Sequence, residues 1–467
     1  MVLSVAERLS RRIAEWVASL DYSKLPENVV EEVKKRVVDT FGVALGAYAE
    51  EPVRIARWIA FSGGGGRLSA TLWGTPHRGP ADHVVFANGC AARYFDFNDT
   101  YLSKEALHPS DTIPAVLAAA EIARADGKKV IEGIVASYEV AARLADAYSI
   151  RGRGWDHVVY IAIASAAGAA KVLGLDADWI EHAINHAVNN NWSLRQTRAG
   201  ELSMWKGCAA ANASRNGLFA AILAWRGMTG PSPVFEGEYG AFKVALCGDR
   251  FDLPVMGGED GEPYKILNTS IKYWPVEYHA MSAVEAALKI VEKVGKVNPD
   301  DVEEIEVKTF DVAYKIIVKD PEKWDPRTRE TADHSMPYII AAALIDGKVW
   351  LDTFKPERYL AEDVRKLMKK MKVIVDEEHN ALYPEGIKNT IKVKFKDGRV
   401  IEESSTYPPG HFKNPLDRKG VEEKFWKLVR GIVDEEQARE ALKLVWDLEN
   451  RESLEPILAR LRIKGEW

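Results

Sequence analysis

Cysteine is scarce: three in 467 residues, Cys90, Cys208 and Cys247, widely spaced and without a C-x-x-C pair. That excludes a disulfide framework and a cysteine-held iron–sulfur cluster, and it points to a reducing cytoplasm. Long apolar runs are missing too. The most apolar stretch, VVYIAIASAAGAA from Val158, ends at Lys171 and is too short to span a bilayer. Positive charge is not in excess either. A formal charge of −6, with no Lys/Arg stripe on any candidate helix, excludes an electrostatic footprint for nucleic acid. Glutamine occurs only twice while Lys, Arg and Glu abound, a balance that suits a heat-adapted source.

Motifs are missing as well. There is no GxGxxG after a strand, no Walker A loop, no HExxH and no GxSxG elbow. The SGGGG run at 62–66 lacks a following Lys-Ser/Thr and reads as a helix-end loop. His182 and His186 lie four apart, hence on one helical face at metal-ligand spacing. No third ligand sits nearby, so no metal is expected. The N-terminal MVLSVAERLSRRIAEW carries two acids and reads as an amphipathic helix, not a signal peptide.

What is present is mostly helix. Pro26 opens one whose Val29, Val30, Val33, Val37 and Val38 recur on one face. Further helices are predicted near 81–95, 112–125, 127–149, 158–173, 177–190 and 208–227. Many are rich in Ala, Gly and Ser, which lets helix axes approach closely. From about Ile271 the texture changes. VEEIEVKTF alternates like a strand, MKVIVD is a short β-rich run, and NTIKVKFKDGRVIEES is a hairpin turning at Asp397-Gly398. Helical stretches at 278–294 and 333–345 interleave with these strands. Helix returns from about 417. The expected architecture is mainly α: a helical domain built from residues 1–270 and 410–467, with an α+β insert at 271–409 and a cleft between them.

Within this frame, ionisable residues stand at helix entrances beside sequence that must be buried. Asp96 and His108 lie in YFDFNDTYLSKEALHPSD (94–111), with Asp99, Lys104, Glu105 and Asp111 as supporting or solvated neighbours. His157 precedes an apolar helix, and Lys206 precedes an Ala-rich one. Lys272 and His279 lie in SIKYWPVEYHA, and His334 and Tyr338 in ADHSMPYIIAAAL. Buried charges are costly unless paired, so the set argues for one shared polar cavity suited to a polyanionic small molecule.

The run DFNDTYLSKEALHPSD resembles the signature of the MmgE/PrpD family. GWDHVVYIAIASAA, MWKGCAAANASRNG, KYWPVEYHA, RETADHSMPYIIAAALIDG, LYPEGIKNTIKVKFKDGR and GHFKNPLDR resemble further family blocks in family order. The resemblance covers nearly the whole chain. It implies a helical domain with an inserted lid, a homodimer, no cofactor, and 2-methylcitrate dehydration in propionate breakdown. It also implies that Asp96, Thr100, His108, His157, Lys206, Lys272, His279 and Tyr338 converge. Cis-aconitate decarboxylases belong to the same family, and the longer YLSKEAL segment resembles the dehydratase branch. Decarboxylation, citrate or aconitate hydro-lyase chemistry, and non-catalytic tricarboxylate binding stay open as alternatives. The implied chemistry gives Lys206 and Lys272 the developing negative charge and the substrate carboxylates, with Thr100 and His279 as further substrate contacts. His108 or His157 would be the base, oriented or supported by Asp96, and the second His or Tyr338 the proton donor.

Overall fold

The computed structural model describes residues 8–465. The sequence-predicted N-terminal helix is seen as Leu9–Ser19, with Leu9, Ile13, Trp16 and Val17 buried, and residues 1–7 lie outside the described residues. The central helix Val158–Val172 is buried along its whole length. It packs against Gly127–Ala147 on one side and Ala209–Trp225 on the other. Small residues set those distances. A Cβ on Gly168 would lie 2.6 Å from the Gly133 carbonyl oxygen, and one on Gly217 would lie 2.6 Å from that of Ala162. The Ala/Gly/Ser-rich faces therefore serve close backbone approach in a densely packed core.

Helix does not continue to residue 270 as the apolar patterning suggests. After Trp225 the described chain holds only short pieces, Ala241–Val244, Glu259–Gly261 and Lys265–Asn268. The segment GMTGPSPVFEGEYG explains this, because its glycines and prolines break helix at close intervals. A small antiparallel ribbon, Ser69–Thr71 with Arg78–Pro80, was also not legible in the sequence.

The buried apolar residues form two separate cores. One joins Leu9–Ile271 to Val421–Ile463, and the other runs from Trp274 to Phe395. The second holds a four-stranded sheet in the order Met371–Val375, Val302–Thr309, Asn389–Phe395, Val400–Ser405. Its first pair is parallel and the others are antiparallel. The helix Met281–Val294 packs against its strands Asn389–Phe395 and Val400–Ser405, and Met336–Asp346 packs against that helix. The hairpin turns at Gly398, with φ of +90°.

Where the chain crosses between cores, Asp99–Thr100 pairs antiparallel with Ser270–Ile271. This ties the 94–111 loop to the residue before Lys272. Gly410, on the return crossing, has φ of +85°, and a Cβ there would lie 1.9 Å from the Ile271 carbonyl oxygen. Gly410→Ala should therefore cost about 1–3 kcal/mol or more. Gly398→Ala, whose Cβ would meet open space, should cost only the left-handed backbone, about 1–2 kcal/mol. Urea denaturation of the two variants would show the order, and equal losses would refute the contact argument.

Candidate active site

The helix Ala81–Tyr94 ends with Asp96 in the left-handed region at φ +51°, a conformation Asp tolerates better than most residues. The turn buries its carboxylate among three cations. Lys272 Nζ lies 3.1 Å and Lys206 Nζ 3.8 Å from Asp96 Oδ2, while Arg93 pairs with Oδ1. Lys272 also donates to the Asp96 carbonyl at 2.9 Å. Burial alone would raise the Asp96 carboxyl, but Arg93, Lys206 and Lys272 hold it well below the ordinary carboxylate range. Burial draws Lys206 down to about 8 and lowers Lys272 as well. Lys206 reaches across to the second core, 3.4 Å from Asp333 Oδ1, and Arg329 holds the other oxygen at 3.2 Å.

Beside this cluster is a cavity of about 70 Å³ lined by residues of both cores: Arg93, Glu105, Ala106, His108, Arg151, His157, Arg195, Arg198, Leu202, Glu277, His279, Ile316, Lys323 and His334. Five cationic side chains face two carboxylates, although the chain as a whole is acidic. Burial depresses the Arg195 guanidinium, and Asp156 only partly restores it. Glu105 is buried and fixed by Ser149 Oγ at 2.9 Å and the Arg151 amide at 3.0 Å.

Four imidazoles line the cavity, each held at Nδ1. His108 meets the Asp99 carbonyl oxygen at 2.7 Å. Because a carbonyl only accepts, Nδ1 carries the proton and the lone pair lies on Nε2. His157 Nδ1 lies 2.9 Å from Asp156, His279 Nδ1 2.7 Å from Glu277, and His334 Nδ1 2.6 Å from Asp333. The His108 and His157 rings are 5.6 Å apart, edge to face. Burial pushes His108 well below the ordinary imidazole value, lowers His157, and takes His334 to about 4. Arg198 stands 3.1 Å from Asp156 Oδ2 and donates to the Lys206 carbonyl at 3.1 Å.

Set against the sequence expectations, His108, His157 and His279 reach the cavity. Asp96, Lys206 and Lys272 stand behind it as a fully buried ion cluster. Three residues make contacts other than those expected. Asp96 does not orient His108, since the Asp99 carbonyl does. Tyr338 belongs to the second core, where its hydroxyl donates to the Thr353 carbonyl, because its helix Met336–Asp346 is apolar on every side. Thr100 also turns away, with Oγ1 donating to the Leu107 carbonyl at 3.3 Å. Among the supporting residues, Asp99, Glu105 and Asp111 are buried and only Lys104 is exposed. Burial raises Asp111 to about 7.

The arginines and the carboxylate partners were missed. The arginines had no local signal beyond RGRG and RQTR. The partners had one: an acid stands one or two residues before three of these histidines, in DH, ExH and DH. His182 and His186 are occupied by backbone, at the Gly230 amide and the Met228 carbonyl. Among the described residues no group of three or more His, Cys, Asp and Glu side chains is placed to hold a metal, and no helix is long and apolar enough to cross a membrane. Cys90 and Cys208, remote in sequence, meet as buried free thiols.

These features define a class: a two-core, mainly helical protein with a buried, arginine-lined, imidazole-rich cavity for a polyanion. The chain matches the MmgE/PrpD N-terminal domain over residues 11–254 and the MmgE/PrpD C-terminal domain over residues 274–450. It is 32% identical to the mitochondrial 2-methylcitrate dehydratase of Yarrowia lipolytica over 79% of this chain and 74% of that protein. It is 31% identical to the 2-methylcitrate dehydratase of Salmonella typhimurium over 72% of each. A cis-aconitate decarboxylase-like protein, oryM of Aspergillus oryzae, is 26% identical over 98% of both chains. The chain belongs to the MmgE/PrpD family.

Asp96→Asn leaves three buried cations short of their shared counter-charge and should cost about 3–5 kcal/mol at neutral pH. The native Asp96 carboxyl titrates below its ordinary value of 3.8. Its stabilisation is thus complete above that value and is lost as pH falls through the native value. Urea denaturation from pH 7 to pH 3 should show the gap between wild type and variant narrowing. A constant gap would contradict the ion-cluster account.

Proposed function

We propose that this protein is a hydro-lyase converting 2-methylcitrate to 2-methyl-cis-aconitate in propionate breakdown. The observation that carries the reading is the charge of the cavity wall. Its cationic excess of three equals the charge of a fully ionised tricarboxylate. The names of the relatives narrow the tricarboxylate to 2-methylcitrate.

The reaction removes a C–H proton beside a carboxylate and expels hydroxide from the adjacent carbon. It is redox-neutral, so an acid, a base and a cradle of positive charge are what it requires. Arg93, Arg195, Arg198 and Lys323 hold the carboxylates and spread the charge that develops on them. Lys206 and Lys272 act from behind, keeping Asp96 ionised and the field at the wall positive. His108 is the base. Its fixed tautomer presents the Nε2 lone pair, and its lowered proton affinity keeps that lone pair free at neutral pH. A cavity of about 70 Å³ is too small for three carboxylates. The segment 271–409, which carries the second core, therefore acts as a lid that opens for entry and closes to exclude water.

The protein also works as a cytoplasmic homodimer. The exposed Ile55, Trp58 and Phe61 on helix Glu51–Ser62 offer an apolar surface to a second copy.

Incubation with 2-methylcitrate, citrate and cis-aconitate tests the reaction, following enoate absorbance and released carbon dioxide. Enoate should form fastest from 2-methylcitrate, with no carbon dioxide. Carbon dioxide from cis-aconitate with no change in 2-methylcitrate would establish the decarboxylase reading instead. His108→Ala should lower kcat by at least about a hundredfold in a folded protein. Tyr338→Phe should cost about 1 kcal/mol of stability with kcat retained. A large loss of kcat in Tyr338→Phe, with His108→Ala active, would reverse these assignments.

A further inference from the structure

The elimination needs a second proton transfer, to the departing oxygen. Hydroxide is a poor leaving group and must depart as water. When both transfers occur together, His108 takes the C–H proton while a separate group gives one to the oxygen. Three imidazoles remain in the cavity, each backed by a carboxylate, and they are not equally held.

His279 is the most constrained. Glu277 clasps it twice, Oε1 to the ring Nδ1 at 2.7 Å and Oε2 to the backbone amide at 2.9 Å. Phe310 and Tyr383 flank the ring, with centroids at 5.4 and 5.7 Å. The side chain is 2% exposed, and Nε2 has no hydrogen-bond partner although it is buried at a cavity wall. Every other position of the ring is occupied. That leaves Nε2 as the one atom free to act on a bound molecule.

His157 offers a free Nε2 too, but its Asp156 is shared with Arg198, which draws the carboxylate away from the imidazole. His334 shares Asp333 with Lys206 and Arg329 and lies 3.9 Å from Asp96 through Nε2, so it is part of the buried ion cluster. No such cation pairs with Glu277 within salt-bridge distance among the described residues. Burial opposes its ionisation, yet His279 above all holds it at about 2. His279 is its one ion-pair partner among the described residues, with His334 and Lys272 acting on it from farther off.

We propose that His279 donates the proton that turns the departing hydroxyl into water, and that Glu277 is the positioning residue that fixes its ring and stabilises its charged form. The contrast of partners divides the two roles. A carbonyl behind His108 only accepts, so that ring presents a bare Nε2, whereas the carboxylate behind His279 is the counter-charge that a proton-donating ring needs. In the step, the C–H electron pair becomes the new C=C bond as His108 Nε2 takes the proton. The C–O pair leaves with oxygen, which takes the proton of His279 Nε2 and departs as water. His108 ends protonated and His279 neutral, and exchange with solvent restores both. The acid and the base sit on opposite cores, so turnover requires the cavity to be closed. This assignment rests on the proposed dehydration.

The test compares wild type, Glu277→Gln, Glu277→Asp and His279→Gln on 2-methylcitrate and on the analogue with fluorine in place of the eliminated hydroxyl, across pH. Fluoride leaves without needing a proton. Glu277→Gln and His279→Gln should lower kcat for dehydration by about a hundredfold or more, with little change in KM. Their loss on the fluoro analogue should be at least tenfold smaller. In Glu277→Gln the alkaline fall of kcat should move to lower pH, and Glu277→Asp should restore much of the rate. An equal loss with both leaving groups at every pH would mark Glu277 as merely structural and overturn the proposal. So would near-normal dehydration by His279→Gln, or a wild type that fails to eliminate fluoride. A wild type that dehydrates 2-methylcitrate while the variants behave in these ways leaves the proposed function standing. One that leaves 2-methylcitrate untouched removes both.

Discussion

A single buried carboxylate shared by three cations is the constraint on which the rest of the site depends. Arg93, Lys206 and Lys272 all converge on Asp96, and none of the four could be buried alone. Asp333 absorbs part of the remaining positive charge. Asp111 lies 3.8 Å from Arg93 Nε, yet burial raises it to about 7, so it is a weak counter-charge near neutrality. The balance therefore stays positive towards the cavity. A network of this kind adds little net stability over an apolar core of equal volume. What it supplies is a fixed field, set before any ligand arrives, whose cost was met during folding.

The same ions join the two cores. Lys206 belongs to the first core's chain segment and Asp333 to the second's, and Tyr94 in the first donates to Glu330 in the second at 3.1 Å. The 94–111 loop is itself laced to the crossing at Ser270–Ile271. Apolar contacts cross the junction too, since Trp350 and Leu351 pack against the first core and Leu102 against the second. The ion pairs and hydrogen bonds add register to that packing, because each needs its partner at a set distance and angle.

Much of this was legible from residues alone. Helices such as Val158–Val172 and the hairpin at Gly398 follow from periodicity and turn chemistry, both local properties. The gathering of His108, His157 and His279 was implied by family blocks, each readable in place. The pairing of charges was harder, because it is set by contacts between distant segments. Nothing in MWKGC says that Lys206 meets Asp333, 127 positions on. Tyr338 looked functional beside His334, but one helical turn separates a residue facing the junction from one inside the second core. Arg195 and Arg198 resemble surface residues of a polar loop, and only the fold turns them inward. The Asp-His, Glu-x-His and Asp-His pairs were local and could have been read. Their meaning depends on knowing that the imidazoles are buried, since a solvated carboxylate beside a solvated histidine does little.

The family holds relatives named for dehydration and for decarboxylation, and the architecture of this site suggests how one scaffold serves both. Losing a proton beside a carboxylate and losing carbon dioxide each leave an electron pair on carbon. An arginine-lined, positively biased cavity stabilises that charge in either case, without regard to which bond broke. The reactions part at the next step, since dehydration needs a proton on a departing oxygen and decarboxylation needs one on carbon. The divergence then lies in where a proton donor is aimed, and not in the anion cradle. In this protein the cradle is distributed over many residues and both cores. On the assignment proposed above, the aim of the donor rests on one clasp, Glu277 around His279, just before the helix Met281–Val294. On that assignment the choice of reaction falls on the clasp, while removing one member of the ion cluster would leave buried charge unpaired.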